Sequence, residues 1–141
     1  MKPLLRKNNA GFTLLEIMLV IIIIVTLMAV LLPNLKNAMS DSKKGEAQIY
    51  ITTIAGNLAQ YELLNGMPPS SSQGLKALME KPAGDPQPRK WRQHMEKIMP
   101  DPWGVDYRYE FPGRHNKNNY DVFSCGPDRA PNTEDDIGNW D

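Results

Sequence analysis

Residues 12–32 read FTLLEIMLVIIIIVTLMAVLL, apolar around the whole circumference of a helix, with Glu16 the one ionisable side chain. Twenty-one helical residues measure about 31 Å, enough for a hydrocarbon core of about 30 Å. Past Pro33 the pattern changes: Ala47, Ile51, Ile54, Leu58 and Tyr61 recur at intervals of three and four, a single amphipathic stripe. Together the two patterns predict one helix over 12–65, roughly 80 Å long. Pro33 and Gly45 are its expected bends or weak points. It stops at NGMPP, where Gly66 supplies a left-handed cap and Pro68-Pro69 cannot continue.

Beyond the helix the periods shorten. SSSQGLKALMEKP, residues 70–82, predicts a short helix with a serine N-cap, ended near Pro82. PAGDPQPRK is loop, and WRQHMEKIMP supports no more than a single turn. VDYRYEF and NYDVFSC alternate as strands do, with PGRHNKNN turning between them. GPDRAPNTEDDIGNWD has no period and is expected to be a long loop, which in a compact domain calls for a reason. The expected class is α+β: a long N-terminal helix packed on a small antiparallel sheet.

The apolar run is too long for a cleaved secretory signal, and Leu31-Leu32-Pro33 is a poor cleavage site, so the segment is expected to stay in the mature protein. Lys2, Arg6 and Lys7 precede it with no acid among them, which favours a cytoplasmic N-terminus; Lys36, Lys43 and Lys44 follow it and weaken that vote. The chain of 141 residues is formally neutral, and without those three leading charges it holds 13 basic against 16 acidic residues, a net of −3. That balance argues against a nucleic-acid surface. With one cysteine, Cys125, no intramolecular disulfide is available.

Glu16 needs explaining. A carboxylate in a spanning helix costs about 2.5–3.5 kcal/mol at the bilayer centre, less near an interface, and marks a functional position. A positive partner relieves that cost. Cutting the chain after Gly11 would create an α-amino group on Phe12, four residues from Glu16. In a bundle of identical subunits, stagger can bring one chain's Glu16 to another's Phe12 amine, so the mismatch of the monomer becomes a drive toward assembly.

KNNAGFTLLEIMLV closely resembles the leader and N-terminus of type IV pilin-like proteins. The resemblance implies a prepilin peptidase that cuts between Gly11 and Phe12 and N-methylates Phe12, with Glu16 serving assembly. It does not separate pilins, pseudopilins and competence filaments.

The other concentration of chemistry is acidic: Asp128, Glu134, Asp135, Asp136 and Asp141 fall within the last fourteen positions. Gly126, Pro127 and Pro131 make the segment turn tightly, while Ile137 and Trp140 give it apolar anchors. Crowded carboxylates repel, and a hard cation such as Ca²⁺ resolves this with six to eight oxygens, backbone carbonyls included. The spacing excludes an EF-hand, since Thr133 and Asn139 stand where its glycine and glutamate belong.

SCGPDRAPNTEDDIGNW resembles the calcium loop that ends the major pseudopilins of type II secretion systems. That likeness implies side-chain ligands Asp128, Asp135 and Asp136, with the carbonyls of Cys125 and Thr133. DPWGVDYRYEFPG and SSSQGLKALM are similar to the same family's DPWG stretch and short second helix. In two places the chain departs from the family: Gln93-His94-Met95 replaces a Gly-Gly-Tyr-Leu-like stretch, and Arg129, Ala130 and Pro131 occupy a loop that is often glycine-rich.

For catalysis the sequence offers little. His94 and His115 lie twenty-one residues apart without a partner Cys or His and read as surface residues, and Cys125 reads as buried. Trp91, Trp103 and Trp140 read as core or loop anchors. No GxSxG, phosphate loop, CxxC or HExxH occurs.

The resemblance therefore implies a non-enzymatic subunit: leader 1–11, helix 12–65 with 12–32 as transmembrane filament core, and head 66–141 with its calcium loop at 124–141. The implied partners are further copies in a helical homopolymer, minor pseudopilins, the prepilin peptidase, and an inner-membrane assembly platform with its ATPase. The implied location is the bacterial inner membrane, crossed once, with leader inside and head in the periplasm. A type IV or competence pilin for adhesion, motility or DNA uptake, and a membrane-anchored enzyme, are the alternatives.

Overall fold

The computed structural model describes residues 11–141; the charged leader residues Lys2, Arg6 and Lys7 lie outside them. Helix α1 spans Leu14–Asn65, followed by a 3₁₀ helix, Gly74–Leu78, and strands β1 (Arg108–Glu110), β2 (Asp121–Ser124) and β3 (Ile137–Gly138). The chain forms two compact units, divided after Ser40.

In the first unit residues 11–13 are not helical, and α1 then runs through Pro33 without a break in its helical assignment. Proline lacks the N–H for the intrahelical bond, and next to it the Asn34 side-chain amide donates to the Val30 carbonyl at 3.2 Å. Every residue over 11–39 is exposed. Over 12–32 the stretch is apolar all round but for Glu16. Among the described residues, α1 is the helix long and apolar enough to cross a membrane, and none of its apolar window is buried.

The second unit buries the stripe the sequence announces. Ala47, Ile51, Ile54, Leu58 and Tyr61 are all buried in one cluster with Leu78, Tyr107, Tyr120, Val122 and Ile137. Each full-sized aliphatic side chain so buried contributes about 1.5–3 kcal/mol. The helix ends as expected: Gly66 takes φ +83° and its N–H donates to the Glu62 carbonyl at 2.7 Å. Asn65 is buried there, donating to the Tyr61 carbonyl at 2.8 Å and accepting the Lys90 N–H at 2.9 Å.

The sheet is antiparallel in the order β1-β2-β3, with Tyr109 opposite Val122 and Phe123 opposite Gly138. Three local expectations are corrected. Residues 70–82 hold a single 3₁₀ stretch that ends at Leu78; Ser70 Oγ accepts the Gln73 N–H one turn before it, and Gln73 makes no side-chain cap. Residues 91–100 form no regular element and bend once at Glu96, tied by the Trp91 indole to the Ala77 carbonyl at 2.8 Å and by the Met99 N–H to the Tyr50 hydroxyl at 2.9 Å. The C-terminal segment is more than loop, because Ile137–Gly138 adds the third strand.

Candidate functional site

At the N-terminus Thr13 caps the helix. Its hydroxyl accepts the Glu16 N–H at 3.2 Å and its carbonyl the Ile17 N–H at 3.2 Å. Thr13-Leu14-Leu15-Glu16 is a T-x-x-E capping pattern, and an acid in the first turn also faces the positive end of the helix dipole. The sequence carried that signal, although only the glutamate was singled out there. Gly11 and Phe12 lie in exposed, non-helical chain just ahead of the cap.

At the C-terminus the loop between β2 and β3 turns back on itself through three left-handed residues: Gly126 (φ +64°), Arg129 (+61°) and Asn132 (+67°). The latter two carry side chains in a region that favours glycine. Gly126 allows the closest approach, since a Cβ there would collide with the Asp135 carbonyl oxygen. Cys125 is fully buried. Burial pushes its thiol pKa up, a hydrogen bond with Arg108 opposes this, and the nearby Asp136 carboxylate reinforces it.

The five expected ligands are not gathered: Asp128, Thr133 and Asp135 are exposed residues, Asp136 is half-buried and Cys125 is fully buried. The Asp135 backbone packs on Gly126, and the Thr133 carbonyl accepts the Asp136 N–H at 3.4 Å. Asp128 stays exposed, its Oδ1 accepting the Ala130 N–H at 2.9 Å. Among the described residues no three His, Cys, Asp or Glu side chains gather into a metal cluster. Asp136 supplies the test of fit: Oδ2 accepts the Asn132 N–H at 2.7 Å, whereas Oδ1 is buried without a hydrogen-bond partner. A buried carboxylate oxygen without a partner carries a desolvation cost, and an oxygen-seeking cation held by carboxylates and carbonyls would remove it.

Three polar residues that sequence reasoning passed over hold this end together. Asp121, almost fully buried, accepts the N–H groups of His115 at 2.8 Å and Asn116 at 3.0 Å. Burial raises its pKa, but backbone N–H donors from His115, Asn116 and Arg114 and the His115 charge outweigh that and lower it. Asp101 Oδ1 accepts the Trp103 N–H at 3.0 Å and the Val105 N–H at 2.8 Å. Its Oδ2 accepts the hydroxyl of fully buried Ser124.

The two histidines have separate surroundings. His115 stacks on Trp140 with ring centroids 3.7 Å apart, and its Nδ1 lies 3.4 Å from Asp121 Oδ2. His94 is half-buried rather than on the surface: Nδ1 lies 3.3 Å from Gln60 Oε1, Nε2 is buried without a partner, and the ring sits 5.8 Å from that of Tyr61.

Residues 34–140 match the family model described as type II secretion system protein G. The chain belongs to that family. Residues 6–32 match the prokaryotic N-terminal methylation motif, which covers Gly11, Phe12, Thr13 and Glu16. The type II secretion system core protein G of Dickeya chrysanthemi is 43% identical over 138 residues, covering 96% of this chain and 89% of that protein. That of Pseudomonas aeruginosa is 40% identical over 141 residues, covering 96% and 98%. The crystal structure of the major pseudopilin from the type 2 secretion system of enterohaemorrhagic Escherichia coli is similar with a TM-score of 0.71. It shares 40% identity and is matched over 77% of this chain and 91% of that one. The protein G family thus accounts for the long helix and small antiparallel sheet, and for the methylation motif at the exposed N-terminal end.

Proposed function

We propose that the chain is a structural, non-enzymatic subunit that polymerises into the periplasmic pseudopilus of a type II secretion system, whose growth drives folded proteins across the outer membrane. One observation carries this reading: an apolar stretch over 12–32 with every residue exposed, in a chain whose residues beyond 46 bury a core of their own. Such a surface needs lipid first and then other helices of its kind. Before assembly it anchors the subunit in the inner membrane, leader inside and head outside. A prepilin peptidase would cut between Gly11 and Phe12, which are exposed and outside the helix, and methylate Phe12. Glu16 would then meet a neighbouring subunit's Phe12 amine and set the register of the homopolymer. Minor pseudopilins and an assembly platform with its ATPase complete the expected partners.

Calcium would be structural. Asp128, Asp135 and Asp136 with the carbonyls of Cys125 and Thr133 would hold it, and bound there it cross-links a loop that no disulfide can fasten. Asp128, Thr133 and Asp135 are all exposed, so the loop would have to close around the ion. The function is tested by deleting the gene and complementing it. Loss of protein secretion, restored by the wild-type chain, supports the reading. Loss of surface fibres or twitching with secretion intact would assign the chain to a type IV pilus instead, and loss of a chemical activity would mark an enzyme.

A further inference from the structure

The entrance of the loop is braced from outside it. Ser124 Oγ donates to Asp101 Oδ2 and accepts the Gly126 N–H at 3.1 Å. The second bond holds the peptide unit that carries both the Gly126 N–H and the Cys125 carbonyl, and the first holds the Ser124 side chain that makes it. Asp101 is fixed in turn. It is buried, its Oδ1 accepts the N–H groups of Trp103 and Val105, its own N–H donates to the Val105 carbonyl at 2.8 Å, and its carbonyl accepts the Gly104 N–H at 2.9 Å. The side-chain oxygens of the brace all have partners, whereas Asp136 Oδ1, further along the loop, has none.

We infer that Asp101 and Ser124 are positioning residues for the cation site of the C-terminal loop, holding the Cys125 carbonyl and the Gly126 turn in the geometry that Asp135 and Asp136 close upon. The inference rests on the calcium reading above. Neither residue supplies a ligand. Residues behind a metal's ligands are commonly worth about 10–100-fold in metal affinity, because without them the ligands must be ordered at the moment of binding. The DPWG turn thereby acquires a role at a loop more than twenty residues away.

The test uses the full chain in detergent micelles, with calcium ion as the probe. Titration calorimetry gives its dissociation constant, and thermal unfolding in excess chelator gives the stability of the metal-free fold. Ser124→Ala is expected to weaken calcium binding by about tenfold or more. Asp101→Asn is expected to weaken it less, because its amide can donate to the Ser124 hydroxyl while that hydroxyl still accepts the Gly126 N–H. Ser124→Thr keeps the hydroxyl and is expected to bind nearly as the wild type does, which also covers the case in which Ser124→Ala fails to fold. Wild-type affinity in Ser124→Ala and Asp101→Asn, with both merely less stable in chelator, overturns the positioning role and leaves the calcium site standing. Weak binding by Ser124→Thr equal to that of Ser124→Ala also overturns it, since the hydroxyl would then not be what matters. No binding by the wild type overturns the calcium reading itself, and the positioning role with it.

Discussion

Helix α1 contains two kinds of surface. Over residues 14–32 it is apolar on every side but for Glu16 and exposed on every side; over 47–61 it is apolar on one stripe, and that stripe is buried. The second stretch finds its partner within the chain, in the sheet and the 3₁₀ helix, and pays its ordering entropy there. The first is exposed throughout the described residues, so covering it falls to lipid or to further copies. Mutations in the two stretches should therefore act on different observables, folding of the head in one case and association in the other.

The sharpest way to break that division is at Glu16. Glu16→Leu should insert and be processed, since it makes the segment more apolar, yet filament yield should fall to near background because the partner of the neighbouring amine is gone. Yield is read by shearing and sedimentation of overproduced filaments, and normal yield would sink the assembly role. Thr13→Val is the control for the cap. It removes the hydroxyl that receives the Glu16 N–H, an N-cap loss of about 0.5–2 kcal/mol in helix stability, without touching the carboxylate.

Next in size is the buried stripe. Ile54→Ala and Leu58→Ala, both fully buried, should each lower head stability by about 2–5 kcal/mol, read by thermal unfolding of the full chain in micelles. Ile22→Ala, in the exposed stretch, should leave that transition in place. A comparable drop for Ile22→Ala would mean that the two stretches are not independent.

The contrast also explains what was readable in the sequence. The stripe was legible because five residues at intervals of three and four leave little choice of element, and all five are buried. Gly66 was legible because a glycine before two prolines fits few roles. Strand β3 was not, since Ile137–Gly138 is too short to show a period and exists only by pairing with β2. Nor was the brace, because Asp101 and Ser124 lie twenty-three residues apart and no local pattern joins them. The left-handed turn at Arg129 was hidden by its side chain, whereas Asn132 is a residue that such turns favour and went unread. The acidic loop was half legible. Its chemistry was visible in composition, but which carboxylate lay buried and unpartnered was a matter of tertiary placement.

That loop supplies the third test. Calcium at about 100 times its dissociation constant should add about 2.7 kcal/mol to the head's stability, and chelator should remove it. In Asp136→Ala the increment should vanish. In chelator the same variant should lose only the Oδ2 bond to the Asn132 N–H, because Oδ1 has no hydrogen bond to lose. No shift in the wild type would remove calcium from the account and leave the family assignment untouched.

The smallest effect is expected at His94, where the head meets pH. Burial disfavours the imidazolium and the Arg92 charge adds to this, so His94 titrates below its ordinary value of 6.5. Between that lowered value and about 6.5 the unfolded chain binds more protons than the folded one, so stability rises with pH across the interval. The head should therefore be most stable above about pH 6.5 and lose ground as acid is added, well before Asp121 matters. Asp121 is held below its ordinary 3.8 and gives up its share only as pH falls through the lowered value. His94→Gln, neutral at every pH, should flatten the decline between pH 6.5 and the carboxylate range and leave the Asp121 limb in place. Denaturant melts at half-unit steps of pH would show it. An unchanged slope in His94→Gln would mean that the half-buried ring accommodates its proton at no cost, by turning Nε2 toward water.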